Sequence, residues 1–275
     1  MTYSSEVIDI IMATVEVIKS ELDLFKRVSF QKSIEHSYFI EYRPNNPITE
    51  GNSIEFILPA SPDEYTDLQN CYLQIKGKLT KQNGTEYPAS DDTRFSLIPY
   101  PLFTIWDQIS IYLGQTLISQ ASNTQSYIAY IDATLENTPN KIKTFLRSAG
   151  YITPFGKDDY NCDNVDIEFS KFFKQSKQFS FYGRFNGSIF NSDKLLLNGL
   201  EMRIILNRAP NKFTCMGRAA DNDTIPHKEA TEPKIILTEV AMYVRRAKIS
   251  KSILNAHEKT LQSVSRALYP IKSPL

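Results

Sequence analysis

Three histidines, three cysteines and a few paired acids are the groups of this sequence suited to catalysis or metal binding. His36, His227 and His257 stand far apart, and none belongs to an HxH or HxxxH spacing. A metal held on strands needs such clustering, so no metal ligand is assigned. Cys71, Cys162 and Cys215 form no CxxC pair, which argues against a zinc knuckle or a dithiol redox site. Scattered thiols suit a reducing compartment, with buried free cysteine as their ordinary state. Asp91-Asp92 and Asp158-Asp159 lack a partner acid at a hydrolase spacing and read as solvated turn residues. No glycine-rich phosphate loop and no GxSxG elbow occurs. His257 lies in a helical pattern and reads as a half-buried packing or hydrogen-bonding residue. Arg245-Arg246 with Lys248 and Lys251 is the basic cluster of note. It would either touch phosphate on an interior surface or form a solvated strand end. Without interleaved stacking aromatics, the second reading is preferred. The expectation is therefore a protein that is not an enzyme, with no catalytic residue, no cofactor and no metal.

Composition narrows the class further. The 275 residues are 41% hydrophobic and 23% charged, ordinary for a globular chain, with room for one large all-β domain. Sixteen Phe and fifteen Tyr against the single Trp106 favour strands. Formal net charge is zero, so bulk electrostatics give no pull toward nucleic acid or a membrane surface. The apolar run over residues 7–18 carries Asp9 and Glu16 and is too short to cross a bilayer. No secretory signal is read there, so Asn83-Gly84-Thr85 and Asn186-Gly187-Ser188 read as turns rather than glycan acceptors.

The chain is organised around residues 52–79. Residues 53–58 alternate until Pro59, and prolines 59 and 62 exclude the next few residues from a sheet interior. Residues 71–79 alternate again, with Tyr72, Gln74, Lys76 and Lys78 on one side and Cys71, Leu73, Ile75 and Gly77 on the other. That is a half-buried antiparallel strand. Asn83-Gly84 signals a hairpin after it. Further strands are expected at 35–42, 105–113 with a return at 115–119 around Gly114, 165–169, 179–185, 200–206 and 234–247. In the last of these the two halves change parity, which a bulge near Thr238-Glu239 would reconcile. Residues 95–103 read as a loop crossing between sheets and 210–233 as a long exposed loop.

Three stretches have helical periodicity. Ile11, Val15, Ile18, Leu22 and Phe25 make an N-terminal arm, either an oligomerisation element or, as preferred, a terminal helix on its own domain. Tyr127, Ile128, Ile131 and Leu135 make an amphipathic helix, with Ser122 and Thr124 as capping candidates and another turn or two beyond Pro139. Leu254, His257 and Leu261 share a face near the C terminus. The expected fold is all-β: an antiparallel jelly-roll β-sandwich with a helical insertion and short terminal helices. The expected organisation is an arm over 1–30, a jelly-roll domain over 31–249 with its insertion near 124–148, and a C-terminal helix and linker over 250–275.

Several segments in order resemble a known family. They are Ser20-Glu21-Leu22-Asp23-Leu24-Phe25, then Ile54-Glu55-Phe56 with Glu64-Tyr65-Thr66-Asp67-Leu68, then the Asn83-Gly84 turn. Tyr127 to Leu135, with Lys141 or Lys143 beyond it, comes next. Leu195-Leu196-Leu197-Asn198-Gly199, Tyr243-Val244-Arg245-Arg246, Asn255-Ala256-His257 and Tyr269-Pro270 complete the series. The series resembles the major capsid proteins of Polinton (Maverick) elements and related adintoviruses. It runs from about Lys19 to Ile271 and corresponds to the N-terminal jelly-roll portion of such a protein. Met1–Ile18 has no counterpart, and Leu113-Gly114 stands where the family tends to have asparagine. The resemblance implies a structural protein of a virus-like mobile element, built from two jelly rolls per subunit and three subunits per capsomer, without an active site. Expected partners are further copies of the chain in a homotrimer, or a chain supplying a second jelly roll. No small-molecule substrate, specific nucleic acid or membrane partner is expected. The expected location is the virion or the cell interior. The alternative function is a single β-sandwich binding module for a carbohydrate or a protein.

Because residues 64–68 tie two central strands together, Tyr65→Ala or Leu68→Ala is expected to lower thermal stability. An unchanged melting temperature in either variant would remove this segment from the core.

Overall fold

The computed structural model describes residues 33–49, 51, 53–88, 94–119, 123–135, 139–151, 169, 171–218, 233–263 and 266–269. Its contacts divide the chain at Lys32. The N-terminal arm expected over 1–30 lies outside the described residues, as do four residues of the strand expected at 165–169.

Among the described residues ten strands follow in order. The first five are β1 (Ile34–Tyr42), β2 (Ile54–Leu58), β3 (Glu64–Thr80), β4 (Arg94–Leu97) and β5 (Trp106–Leu113). The others are β6 (Thr116–Leu117), β7 (Phe179–Arg184), β8 (Met202–Arg208), β9 (Cys215–Arg218) and β10 (Lys234–Ile249). One four-stranded sheet has the order β1-β10-β3-β7 and the other β2-β8-β5-β6, while β4 and β9 form a separate ribbon. Every pairing is antiparallel. Leaving the ribbon aside, the first strand pairs with the last, the second with the seventh, the third with the sixth and the fourth with the fifth. That nested pairing is a jelly roll, the fold that the strand grammar of the sequence predicts.

Alternation decides which face of each strand turns inward. Cys71, Leu73, Ile75 and Leu79 of β3 are buried, and Tyr72, Gln74, Lys76 and Lys78 between them are half-buried. Met202, Ile204 and Leu206 of β8 oppose them from the other sheet in the same core, together with Phe56 and Ile111. Each such side chain contributes roughly 1.5–3 kcal/mol by leaving water. Tyr65 and Leu68 are both buried, at 4% and 0% exposure, in the tie that the sequence predicts. Trp106 is fully buried and donates its Nε1–H to the Leu102 carbonyl at 2.9 Å. The bulge expected in β10 is present: its register with β3 shifts between Leu237 and Glu239.

Three expectations are corrected. Asn83-Gly84 does turn the chain, with Gly84 at φ +81° and Asn83 Oδ1 accepting from the Thr85 amide. No strand returns along β3, because β10 and β7 already occupy both of its edges. Residues 95–103 are not a plain crossing loop. They hold β4 and then α1 (Pro101–Thr104), which Pro101 opens at a position where a missing amide costs nothing. Part of the expected loop at 210–233 is ordered too, as a helical turn at Asn211–Thr214 followed by β9; residues 219–232 lie outside the described set.

Between β6 and β7 the chain forms α2 (Gln125–Leu135), then Pro139–Lys141 and a π-helical turn at Ile142–Leu146. Ser122, one capping candidate, lies outside the described residues; the Thr124 carbonyl accepts from the Ile128 amide at 3.0 Å. Gly150 ends this excursion and lets it lie against α1, since its carbonyl accepts the Tyr100 amide at 3.3 Å. Its φ is +85°, and an added Cβ would meet Pro101 Cδ at 2.5 Å. After β10, α3 (Lys251–Gln262) seats Leu254 in a second small core with Tyr65, Ala247 and Ile249.

Gly150 and Gly114 separate backbone strain from crowding. Both have positive φ, but nothing lies within 4 Å of a Cβ at Gly114. Alanine in the left-handed region costs about 1–2 kcal/mol at either site, and overpacking adds about 1–3 kcal/mol at Gly150 alone. Gly150→Ala is therefore expected to lower the melting temperature more than Gly114→Ala, by several degrees. Equal shifts would show that Pro101 yields freely.

Candidate functional site

The groups singled out for chemistry are dispersed by the fold. His36 sits exposed on β1 and stacks on Tyr38. His257 sits on α3, its Nδ1 2.8 Å from the Tyr65 hydroxyl and its ring stacked on the same tyrosine. The hydrogen-bonding role expected of His257 is present, but the residue is exposed rather than half-buried. His227, Cys162, Asp91-Asp92 and Asp158-Asp159 lie outside the described residues. Among the described residues no three His, Cys, Asp or Glu side chains gather closely enough to hold a metal ion. Cys71 is buried in β3, its Sγ donating to the Asp67 carbonyl at 3.4 Å. Burial pushes its thiol up to about 12, so at neutral pH it stays protonated and is a poor nucleophile. Cys215 is half-buried, its Sγ 3.9 Å from Thr214 Oγ1. No helix of the described residues is long and apolar enough to cross a membrane.

Arg245, Lys248 and Lys251 of the basic cluster reach solvent as a strand end does, but Arg246 does not. Arg246 is 3% exposed. Its Nη1 donates to Thr66 Oγ1 at 2.7 Å, and its Nη2 donates to the Pro59 carbonyl at 2.8 Å and to the Tyr42 hydroxyl at 3.2 Å. Arg245 faces the other way, with Nη1 3.0 Å from Asp67 Oδ2 and Nη2 donating to Ser37 Oγ at 2.8 Å. Lys248 lies 3.8 Å from Glu35 across the β1–β10 pair. The cause is a register break: opposite the step from Val244 to Arg245, β3 skips from Cys71 to Asp67. That bulge sets Asp67 beside Arg245 and Thr66 beside Arg246. A signal for this existed in the sequence, because Arg246 shares the parity of Val240, Met242 and Val244, which all point inward. These arginines are structural and do not wait for a phosphate.

What remains as functional material is surface. Across the outer face of the first sheet run Phe39 on β1, Tyr243 on β10, Tyr72 on β3 and Tyr182 on β7. Tyr72 and Tyr182 stack at 5.3 Å, Phe39 approaches Tyr72 at 6.0 Å, and Tyr182 meets Tyr243 at 6.1 Å. Several charges around this row are paired, Arg43 with Glu41 at 2.9 Å, Lys76 with Glu239 at 2.9 Å, and Arg245 with Asp67, while Arg184, opposite Tyr72, donates to the Phe190 carbonyl at 3.0 Å. Hydrogen bonding to Lys76 draws the Glu239 carboxyl below its ordinary range. The second surface is α2, and here the amphipathic reading inverts. Ser126, Ala129 and Ala133 are the buried residues, while Tyr127, Ile131 and Leu135 are 53%, 51% and 77% exposed. Small side chains let the helix approach α1 and β5 closely; Tyr127 lays its ring on Phe213 at 4.4 Å, and Ile131 and Leu135 are left outside.

Loss of the Arg246 guanidinium is expected to leave the buried Thr66 hydroxyl short of a donor, at about 1–3 kcal/mol, and to break two part-buried contacts besides. Arg246→Met should therefore lower the melting temperature by about 5 °C or more, and Arg245→Met by less, since that side chain is part-exposed. Circular dichroism melts compare the two; an equal or smaller drop for Arg246→Met would deny it a structural role.

Comparisons with known proteins place the fold. No family model matches the sequence, and no curated protein does. Among solved structures, the chain is similar to the Faustovirus major capsid protein over 86% of its own length and 58% of that chain, with a TM-score of 0.53 at 10% identity. It is also similar to a chain of the Sputnik virophage structure, over 86% of its own length and 53% of that chain, with a TM-score of 0.52 at 13% identity. The chain thus spans little more than half the length of the structures it matches. At such identities the likeness is one of fold: this is a jelly-roll β-sandwich built as the Faustovirus major capsid protein is over more than half of its length.

Proposed function

We propose that this chain is a structural capsid-type protein, forming the first jelly roll of a capsomer subunit. The observation that carries the reading is the nested pairing of eight strands into two four-stranded sheets, in a chain that superposes over most of its length on a major capsid protein. The domain itself is proposed as residues 31–249, with an arm over 1–30 and a helix and linker over 250–275. A virus-like mobile element of the Polinton kind is the proposed source, supported by the ordered series of segments from Ser20 to Tyr269-Pro270. Three subunits, each completed by a second jelly roll from the same or another chain, would close a ring with heterologous contacts. The protein is proposed to act without an active site, a cofactor or a small-molecule substrate, and to reside in the virion.

Jelly rolls suit this use because their sheets protect most strand edges, so copies tile through chosen faces rather than by adding strands. The purified protein at tens of micromolar is expected to sediment as a closed oligomer, three copies being the expected number, with ring-shaped particles in negative stain. A strictly monomeric species over that range would favour the single-sandwich binding module instead.

A further inference from the structure

Along β3 the neighbouring strand changes. β7 pairs with β3 from Tyr72 to Gly77. Nearer the start of β3, Leu196 takes the flanking position instead, in an isolated antiparallel bridge with Thr66. The Leu196 amide donates to the Thr66 carbonyl at 2.8 Å, and the Thr66 amide donates to the Leu196 carbonyl at 3.0 Å. Successive peptide groups of an extended chain point to opposite edges, so the Leu195 carbonyl and the Leu197 amide face away from β3. Arg246, Thr66 and Leu196 thus lie in one row across the sheet, and the outward pair flanks its last member. One side chain answers both groups. Tyr269 Oη accepts from the Leu197 amide at 3.0 Å and donates to the Leu195 carbonyl at 3.2 Å.

A carbonyl at one residue and an amide two residues on are what a single residue of a parallel strand engages. The hydroxyl therefore stands in for a strand. It can do so because a phenol both donates and accepts. Burial pushes its ionisation above the ordinary tyrosine range, which keeps it protonated well beyond neutral pH. The half-buried ring packs against the main core, and beside it Lys194 Nζ donates to the Leu268 carbonyl at 3.3 Å. The covered edge is the apolar run Leu195-Leu196-Leu197, and open backbone groups on such an edge are a template for another chain. Pro270 follows Tyr269 and has no amide to offer, so the covering segment is itself a poor template. We propose that Tyr269 is an edge guard: its hydroxyl holds the positions that a parallel strand would take and keeps a second copy from adding to the sheet at this corner. The guard is a property of the single chain and does not depend on the capsid-type reading.

Tyr269→Phe in the full chain keeps the ring and removes the hydroxyl, and circular dichroism checks that the fold is retained. Hydrogen exchange of the Leu197 amide is expected to quicken by about five-fold, the worth of one modest hydrogen bond. The Leu196 amide, which donates to Thr66, should keep its rate. On standing at high concentration, the variant should grow into open-ended species larger than any the parent chain forms, read by size exclusion with light scattering. Lys194→Met loosens the same segment but leaves the hydroxyl, and should keep the parent's size distribution. Each variant is read against the parent, so the result is the same whether the parent is a trimer or a monomer. An unchanged Leu197 rate would overturn the hydroxyl as partner of this edge. Faster exchange without larger species would overturn the guard and leave a local staple. Equal growth in Lys194→Met would also overturn it, in favour of general loosening.

Discussion

A guanidinium taken out of water must find oxygens for its N–H groups, since burying it unpaired costs several kcal/mol, a large share of the stability of a domain. Arg246 finds them on three separate pieces of chain: Thr66 in β3, Tyr42 at the end of β1 and the Pro59 carbonyl just beyond β2. β1, β3 and β10 belong to one sheet and β2 to the other. One planar fork thus holds neighbouring strands in register and fixes the corner where the chain leaves the second sheet for the first. Lysine offers no such fork. The chain enters β3 at Glu64, immediately after the proline-rich corner that Arg246 grips, so the longest strand of the fold is positioned at its start by this contact.

The bulge in β3 is the other half of the arrangement. Without it, Thr66 and Asp67 would be out of register with Arg246 and Arg245, and one buried cation would face hydrocarbon. With it, the two arginines alternate across the sheet, one inward to a polar cradle and one outward to Asp67 and Ser37. The same end of the sheet is closed from outside by α3, whose Leu254 packs with Tyr65, Ala247 and Ile249 and whose His257 meets the Tyr65 hydroxyl. Tyr269 adds a strap there, accepting from the Leu197 amide and donating to the Leu195 carbonyl. Polar contacts set the register at this end, while the main core between the sheets supplies the bulk of the hydrophobic free energy.

How much of this was legible in the sequence depended on whether the signal was local. Alternation placed β3 and β8, the parity change in β10 located its bulge, and Gly114 marked the turn into β6. Asn83-Gly84 misled because turn chemistry says that the chain reverses, not that the edge of the preceding strand is free to receive it. Both edges of β3 are filled by strands more than ninety residues away in sequence. The α2 reading failed for a related reason. Periodicity identifies a face but not its direction, and the residues that touch the domain are the small ones that a hydrophobicity pattern ranks lowest. Arg246 is the instructive case: the charge suggested solvent, the strand parity suggested the core, and parity was right because the fold could supply oxygens.

These features bear on the structural role proposed for the domain. A tiling subunit has two requirements that pull against each other. It must expose enough apolar area to associate, yet avoid the indiscriminate sticking that exposed strand edges and loose hydrophobic patches invite. Here the aromatic row sits on a sheet face rather than an edge, and several of the charges beside it are paired. The exposed stripe of α2 is narrow, one residue per turn, and presents little area to any surface that lacks a matching width.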